Sequence, residues 1–265
     1  MLTEITLTLQ AREAATLPAS HGLMANAAAL NLLNRYDEAL ARELHDKESA
    51  KPYTVALLTG LKAQADKTLT LPANEDCRWR LTGLSKDVSA CLKKITAGDD
   101  IRIGSGEFVI ADIAVNSTAY SLMADKWLSM PTERLNPHIG FQINTPAAFK
   151  RGRYEYPFPA PDVVWTSLLN KWNRFSDTYC PQLPLALSEE VHLTNWHGET
   201  KRMAMGKRWS VGCVGRFNYG VSKGQDELLR LLHLLADFAR FAGIGWQTTA
   251  GMGQVTPMLA PPVKR

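Results

Sequence analysis

The feature that most constrains this chain is the order of its periodic segments. The first half reads strand, helix, strand, strand, helix, strand, and the second half repeats that order. Residues 2–9, LTEITLTL, alternate apolar and polar, which marks a half-buried strand. The stretch from Leu23 to Leu33 sets Leu23, Ala27, Leu30 and Leu33 near one helical face. Asn34 to Asp37 reads as a turn, and Asp37 as the cap of a second short helix, EALARELH. Tyr53 to Leu58, TLTLP and CRWRLTGL read as strands. Ser85 to Thr96 reads as a helix stopped at Gly98, and EFVIADIAV as the closing strand.

In the second half HIGFQINTPAAFK is the first strand. Pro157, Pro159 and Pro161 break the chain before a helix that Asp162 is expected to cap, with Trp165, Leu168, Leu169, Trp172 and Phe175 at helical spacing. VHLTNWH and RWSVGCVGRFNYG are strands, and the S-x-x-Q of Ser222 to Gln225 reads as a capping box before the apolar helix Leu228–Phe241. QVTPM is the last strand. The doubled order predicts an α+β chain of two tandem ferredoxin-like (βαββαβ) domains. MPTERLN, residues 130–136, serves as linker, which gives domains 1–133 and 134–265. The repetition lies in element order, not in residues. This plait serves RNA-binding proteins and small-molecule enzymes alike, so side chains must decide the function.

Composition narrows the classes. At 265 residues and 45% hydrophobic content, the chain can build two cores. No apolar run approaches eighteen residues, and MLTEITLTLQ has no basic segment followed by an apolar one. Neither a membrane helix nor a leader is expected, and the expected location is the cytoplasm. Cys77, Cys91, Cys180 and Cys213 show no C-x-x-C spacing and are expected to be reduced, in or near the cores. A net charge of +4 permits a polyanionic partner without requiring one, so the placement of charge matters more than its sum.

His45 and Lys51 are the first candidates for chemistry. His45 ends the short helix, where free carbonyls and neighbouring Asp46 favour the imidazolium form. Pro52 biases Lys51 toward extended geometry at the start of a strand, which would bring both side chains to one rim of the sheet. An imidazole and an ammonium can cleave RNA without a metal: one moves the protons while the other stabilises charge on the phosphate. A helix-capping histidine and a solvated lysine would read the same way from spacing alone.

Three further segments stand out. GIGWQTTAGMGQV carries Gly243, Gly245, Gly251 and Gly253 between a helix and a strand, a context opposite to that of dinucleotide-binding loops. So dense a cluster points to close contact with another chain segment or a ligand, against the plainer reading of a complicated turn. Lys201, Arg202, Lys207 and Arg208 flank Gly206 at a hairpin tip, a phosphate contact or a solvated turn. Lys150, Arg151 and Arg153 form a similar cluster. His192 and His197 fall on opposite faces of a strand and make poor metal ligands. His233 is expected to pack on its helix, and His21 to cap the first helix.

Residues 43–60 (ELHDKESAKPYTVALLTG), 144–175 (NTPAAFKRGRYEYPFPAPDVVWTSLLNKWNRF) and 212–255, from GCVGRFNYG to GMGQV, resemble in order the CRISPR repeat-specific endoribonucleases of the RAMP superfamily. The resemblance implies cleavage of repeat RNA to a 2′,3′-cyclic phosphate and a 5′-hydroxyl, with no cofactor. It gives His45 the acid–base role and Lys51 the cationic one. It also implies repeat RNA, or the crRNA product, as partner to a monomer or homodimer, with the glycine-rich loop and the basic hairpin contacting RNA. One branch of the family uses a tyrosine in the first helix, where counting back from His45 finds Leu30. Tyr36 and Tyr53 are the candidates to replace it. The alternative is a repeat-binding subunit of a CRISPR effector complex that does not cut.

Overall fold

The computed structural model describes residues 1–46 and 50–259. Residues 47–49, part of the 43–60 segment, lie outside the described residues. The chain divides into two compact units. The first comprises Met1–Ser117 with Met205–Lys207 and Thr248–Gly251; the second holds Thr118–Ala204, Arg208–Gln247 and Met252 onward.

The first unit runs β1 (Leu2–Ala11), β2 (Ala15–Pro18), α1 (Gly22–Tyr36), α2 (Glu38–Asp46), β3 (Tyr53–Val55), β4 (Lys62–Ala63), β5 (Thr68–Leu71), β6 (Asp76–Gly83), α3 (Lys86–Leu92), β7 (Asp100–Ile103) and β8 (Gly106–Thr118). The main sheet has the order β3-β6-β1-β8-β7. With the extra strand β7 set aside, it is the ferredoxin-like arrangement, in which each central strand is bordered by strands distant in sequence. The alternation of β1 sets the register. Ile5, Leu7 and Leu9 are fully buried, and β1 pairs antiparallel with β6 from Thr3↔Gly83 to Gln10↔Asp76. Slipping by one residue would turn those apolar side chains to the other face, so the pattern admits one pairing. Trp79, Leu81 and Phe108 complete the floor on which Ala25, Ala28, Ala29 and Leu32 of α1 pack. The short turn Thr248–Ala250 packs on α1 and β3 within this unit.

The second unit runs α4 (Tyr120–Leu128), β9 (His138–Ala147), β10 (Phe149–Arg151), β11 (Tyr154–Tyr156), α5 (Pro161–Phe175), α6 (Leu187–Glu190), β12 (Val191–Met205), β13 (Arg208–Val221), α7 (Asp226–Ala242) and β14 (Val255–Met258). Its sheet order, β12-β13-β9-β14, repeats that of the first unit. The core is aromatic. Phe141, Trp165 and Tyr219 meet with ring centroids 5.4–6.2 Å apart, and Trp172 meets Tyr120 and Phe238 edge-on at 4.9 and 5.3 Å. Such pairs each add about 0.5–1.5 kcal/mol beyond their buried area.

Several local expectations needed correction. Asn34 to Asp37 is not a turn: α1 continues to Tyr36, and the chain goes straight into α2, which Asp37 caps by accepting from Leu40 N–H at 3.0 Å. The strand expected over Tyr53 to Leu58 stops at Val55, and the helix expected over Ser85 to Thr96 spans only Lys86–Leu92. Its cap is Ser85, accepting from Val88 N–H at 3.3 Å. Asp162 does not cap α5. Ala160 holds that position and Pro161 begins the helix, because proline's fixed φ suits the first helical turn. Asp162 instead pairs with Arg151 at 2.6 Å. Ser222 forms no capping box, since α7 begins only after Gln225. Helix α4 was not foreseen; its N-cap is Ala119, which has no side chain to announce it.

Candidate active site and nucleic-acid interface

The apolar face of α2 (Leu40, Ala41, Leu44) fixes the direction of its last turn, which leaves His45 exposed. The imidazole is 76% accessible, and its Nδ1 lies 3.1 Å from Asp46 Oδ1. With a carboxylate on Nδ1, that nitrogen carries the proton and Nε2 becomes the atom open to a substrate. Lys51, half-buried, donates from Nζ to the His45 carbonyl oxygen at 3.3 Å. Desolvation pushes its pKa below 10.5, opposed by the nearby Asp46 charge. The helix end and the strand start thus tie the Lys51 ammonium to the backbone of His45.

Neither tyrosine considered beside them is comparably placed. Tyr53 is buried and donates to Asn26 Oδ1 at 2.9 Å, and its burial pushes the pKa upward. The Tyr36 hydroxyl donates to Asp99 and accepts from Thr96 N–H at 3.2 Å. Leu30 packs against the core. His21 stands at the N-cap position of α1 but makes no side-chain cap bond. It is fully buried, with Nδ1 donating to the Pro18 carbonyl at 3.0 Å and Nε2 accepting from Leu58 N–H at 2.9 Å. Burial lowers its pKa and keeps the ring neutral.

The glycines of residues 243–253 serve close approach within the loop. A Cβ on Gly245 would lie 2.2 Å from the Ala148 carbonyl oxygen, and one on Gly253 would lie 2.0 Å from that of Ile244. Both residues have positive φ, as do Gly243 and Gly251. Ile244 N–H donates to Gly253 O at 2.9 Å and Trp246 N–H to Ala148 O at 3.0 Å, tying the loop to itself and to the end of β9. Lys171 was not singled out from the sequence. Its Nζ donates to the carbonyls of Ala242 and Gly243 at 3.0 and 3.2 Å, where the loop leaves α7. The available signal was a lone cation between Leu168, Leu169 and Trp172 on an apolar helix.

The basic clusters differ in how far they are neutralised. Arg202, Lys207 and Arg208 are exposed at the β12–β13 hairpin with no carboxylate partner among the described residues, whereas Lys201 pairs with Glu199 at 3.1 Å. On the β10–β11 hairpin Lys150 lies 3.6 Å from the centre of the Trp246 ring and 3.8 Å from Glu155. Arg151 is held by Asp162 and by the Tyr156 ring at 4.4 Å, and Arg153 lies over Tyr154 at 5.3 Å. Among the described residues no helix is long and apolar enough to cross a membrane. All four cysteines are free and buried.

Residues 141–255 match the family model named CRISPR-associated endoribonuclease Cas6. A Streptococcus thermophilus protein of the same name is 26% identical over 139 residues; the match covers 51% of this chain and 56% of that protein's length. A Cas6 product complex superimposes with a TM-score of 0.75 at 25% identity, covering 97% of this chain and 100% of the other. A Cas6 substrate-mimic complex does so with a TM-score of 0.72 at 21% identity, covering 97% and 98%. At that lower identity the likeness is one of fold, and it extends over both ferredoxin-like units.

Proposed function

We propose that the chain is an endoribonuclease of the kind it matches, CRISPR-associated Cas6, and that it cuts CRISPR repeat RNA within a precursor transcript to release crRNAs, without a metal or other cofactor. The observation that carries the proposal is the pairing at the end of α2. An accessible imidazole has Nδ1 engaged by Asp46, and the Lys51 ammonium is fastened to the same residue's carbonyl.

In this reading His45 Nε2 accepts the proton of the 2′-hydroxyl as its oxygen attacks the adjacent phosphorus. The P–O5′ bond breaks, the leaving oxygen takes up a proton from water, and a 2′,3′-cyclic phosphate and a 5′-hydroxyl result. Lys51 stabilises the negative charge that builds on the phosphoryl oxygens. Tyr36 and Tyr53 receive no role, since their hydroxyls are engaged by Asp99 and Asn26. Domain 1–133 carries the catalytic pair. Domain 134–265 binds RNA through Lys201, Arg202, Lys207 and Arg208, aided by the 150–153 hairpin and the 243–253 loop. The protein acts as a monomer or homodimer in the cytoplasm.

The test is cleavage of a cognate repeat in EDTA with the product ends mapped. His45→Ala is expected to bind the repeat normally and cut about 10²-fold or more slowly. Undiminished cutting by His45→Ala would remove His45 from the chemistry. Tight binding by the wild-type protein with no product between pH 6 and 9 would make it a repeat-binding effector subunit instead.

A further inference from the structure

The second unit has a slot that the catalytic reading does not use. It is a cavity of about 190 Å³ beside the edge strand β12, whose lining includes Pro157, Phe158, Trp196, Thr200, Phe217 and Glu199, the last paired with Lys201 at 3.1 Å. The Trp196 indole lies parallel to the Phe217 ring (4°, centroids 6.0 Å apart) and meets Phe158 edge-on (88°, 6.2 Å). Phe217 is buried, so Trp196 rests on a fixed backing while remaining 53% exposed. Gly198 contributes to this geometry. A Cβ there would meet the Val214 carbonyl oxygen at 2.4 Å and Phe217 Cζ at 3.0 Å, so only glycine lets the strand lie this close to its neighbour. Trp196, Gly198, Thr200 and Arg202 are alternate residues of one strand and share a face. The row therefore runs from an aromatic platform to a guanidinium with no carboxylate partner among the described residues.

We propose that this slot takes one unpaired nucleobase of the bound RNA, stacked on Trp196, with Arg202, about 20 Å further along the strand, on a backbone phosphate several nucleotides away. The proposal deepens the RNA-binding reading above and rests on it. Drug-sized ligands occupy pockets of about 300–1,000 Å³, so this cavity suits a single planar group. A nearly apolar lining offers a base little beyond its π-face, so recognition here tolerates sequence but requires a single-stranded position. A cation further along the same strand face favours an extended nucleic acid over an apolar protein segment, and Arg binds phosphate in a planar, two-pronged fashion.

The experiment measures binding of the full-length protein to the repeat RNA and to a series carrying one abasic site at each position. Trp196→Ala is expected to weaken binding about 5- to 150-fold, the usual cost of losing one base stack. Trp196→Phe is expected to restore most of the loss, and the salt dependence to stay unchanged, since no phosphate contact is removed. One abasic position should weaken the wild-type protein and have no further effect on Trp196→Ala. Equal affinity of Trp196→Ala and wild type, with cutting intact, would overturn the proposal and leave the nuclease reading standing. An abasic series without a sensitive unpaired position would also overturn it, even if Trp196→Ala fails to fold. Absence of any RNA affinity in the wild-type protein would remove the reading on which it rests. A change in sedimenting mass of Trp196→Ala without a change in RNA affinity would overturn it in favour of contact between two copies of this chain.

Discussion

The Lys51 ammonium donates to the backbone carbonyl of His45 at 3.3 Å, so the cation is positioned by the same residue that carries the imidazole. Desolvation lowers the lysine's pKa and Asp46 opposes that shift, which ties the charge of Lys51 to its surroundings. The ammonium therefore loses its proton at a lower pH than an exposed lysine would.

If that charge stabilises the scissile phosphate, single-turnover cleavage declines on the alkaline side, below pH 10.5. Lys51→Arg keeps its charge at any pH a protein tolerates, so the decline should vanish while some rate survives. Asp46→Asn removes the charge that holds the lysine's pKa up and should move the decline to lower pH. An alkaline limb identical in wild type, Lys51→Arg and Asp46→Asn would show that the ammonium plays no part.

His21→Ala leaves the buried Leu58 N–H without its acceptor and opens a cavity, so it should cost about 2–4 kcal/mol of stability. The same residue sets a pH dependence. His21 and His233 both have pKa values below 6.5 in the folded protein. The unfolded chain therefore takes up their protons first. Their contribution is complete above pH 6.5 and is lost as pH falls toward the folded values. Melting temperature should drop on acidification, less steeply for His21→Ala. Parallel slopes for the two proteins between pH 7.5 and 5.5 would contradict this account.

Gly253→Ala should destabilise the second unit by at least about 2 kcal/mol, because a methyl group must displace the Ile244 carbonyl and the residue must keep a positive φ. Gly152→Ala is the control. It has positive φ but nothing within 4 Å of the added carbon, so its cost should stay near 1 kcal/mol. Denaturant midpoints measure both, and equal losses would mean that φ alone matters.

Removing the charge of Arg202, Lys207 or Arg208 should each lower the slope of log affinity against log salt by about 0.7–0.9. Arg151→Ala should lower it far less, because Asp162 already neutralises that guanidinium at 2.6 Å. A slope unaffected by all three would place the phosphate contacts elsewhere.

What could be read from the sequence follows from how local the physics is. The alternation of Leu2 to Leu9 and the helical spacing of Trp165 to Trp172 are nearest-neighbour patterns, and they led to both plaits. The approach of the α2 end to the segment before β3 was legible too, because Pro52 and a helix end act within a few residues. Helix starts were less legible: at Ala160 and Ala119 the cap lacks a bonding side chain, so a competing Asp162 attracted the assignment. The slot was invisible, because Phe158, Trp196 and Phe217 come from a loop and two strands and meet only after the sheet has formed.

The first unit includes Thr248–Gly251, a turn translated long after the plait it packs against. Vectorial folding on the ribosome can therefore assemble the β3-β6-β1-β8 sheet early but must leave the surface of α1 and β3 bare until that turn emerges. For that interval the nascent protein shows an apolar face that a chaperone can shield, and shortening the chain ahead of residue 248 would make the exposure permanent.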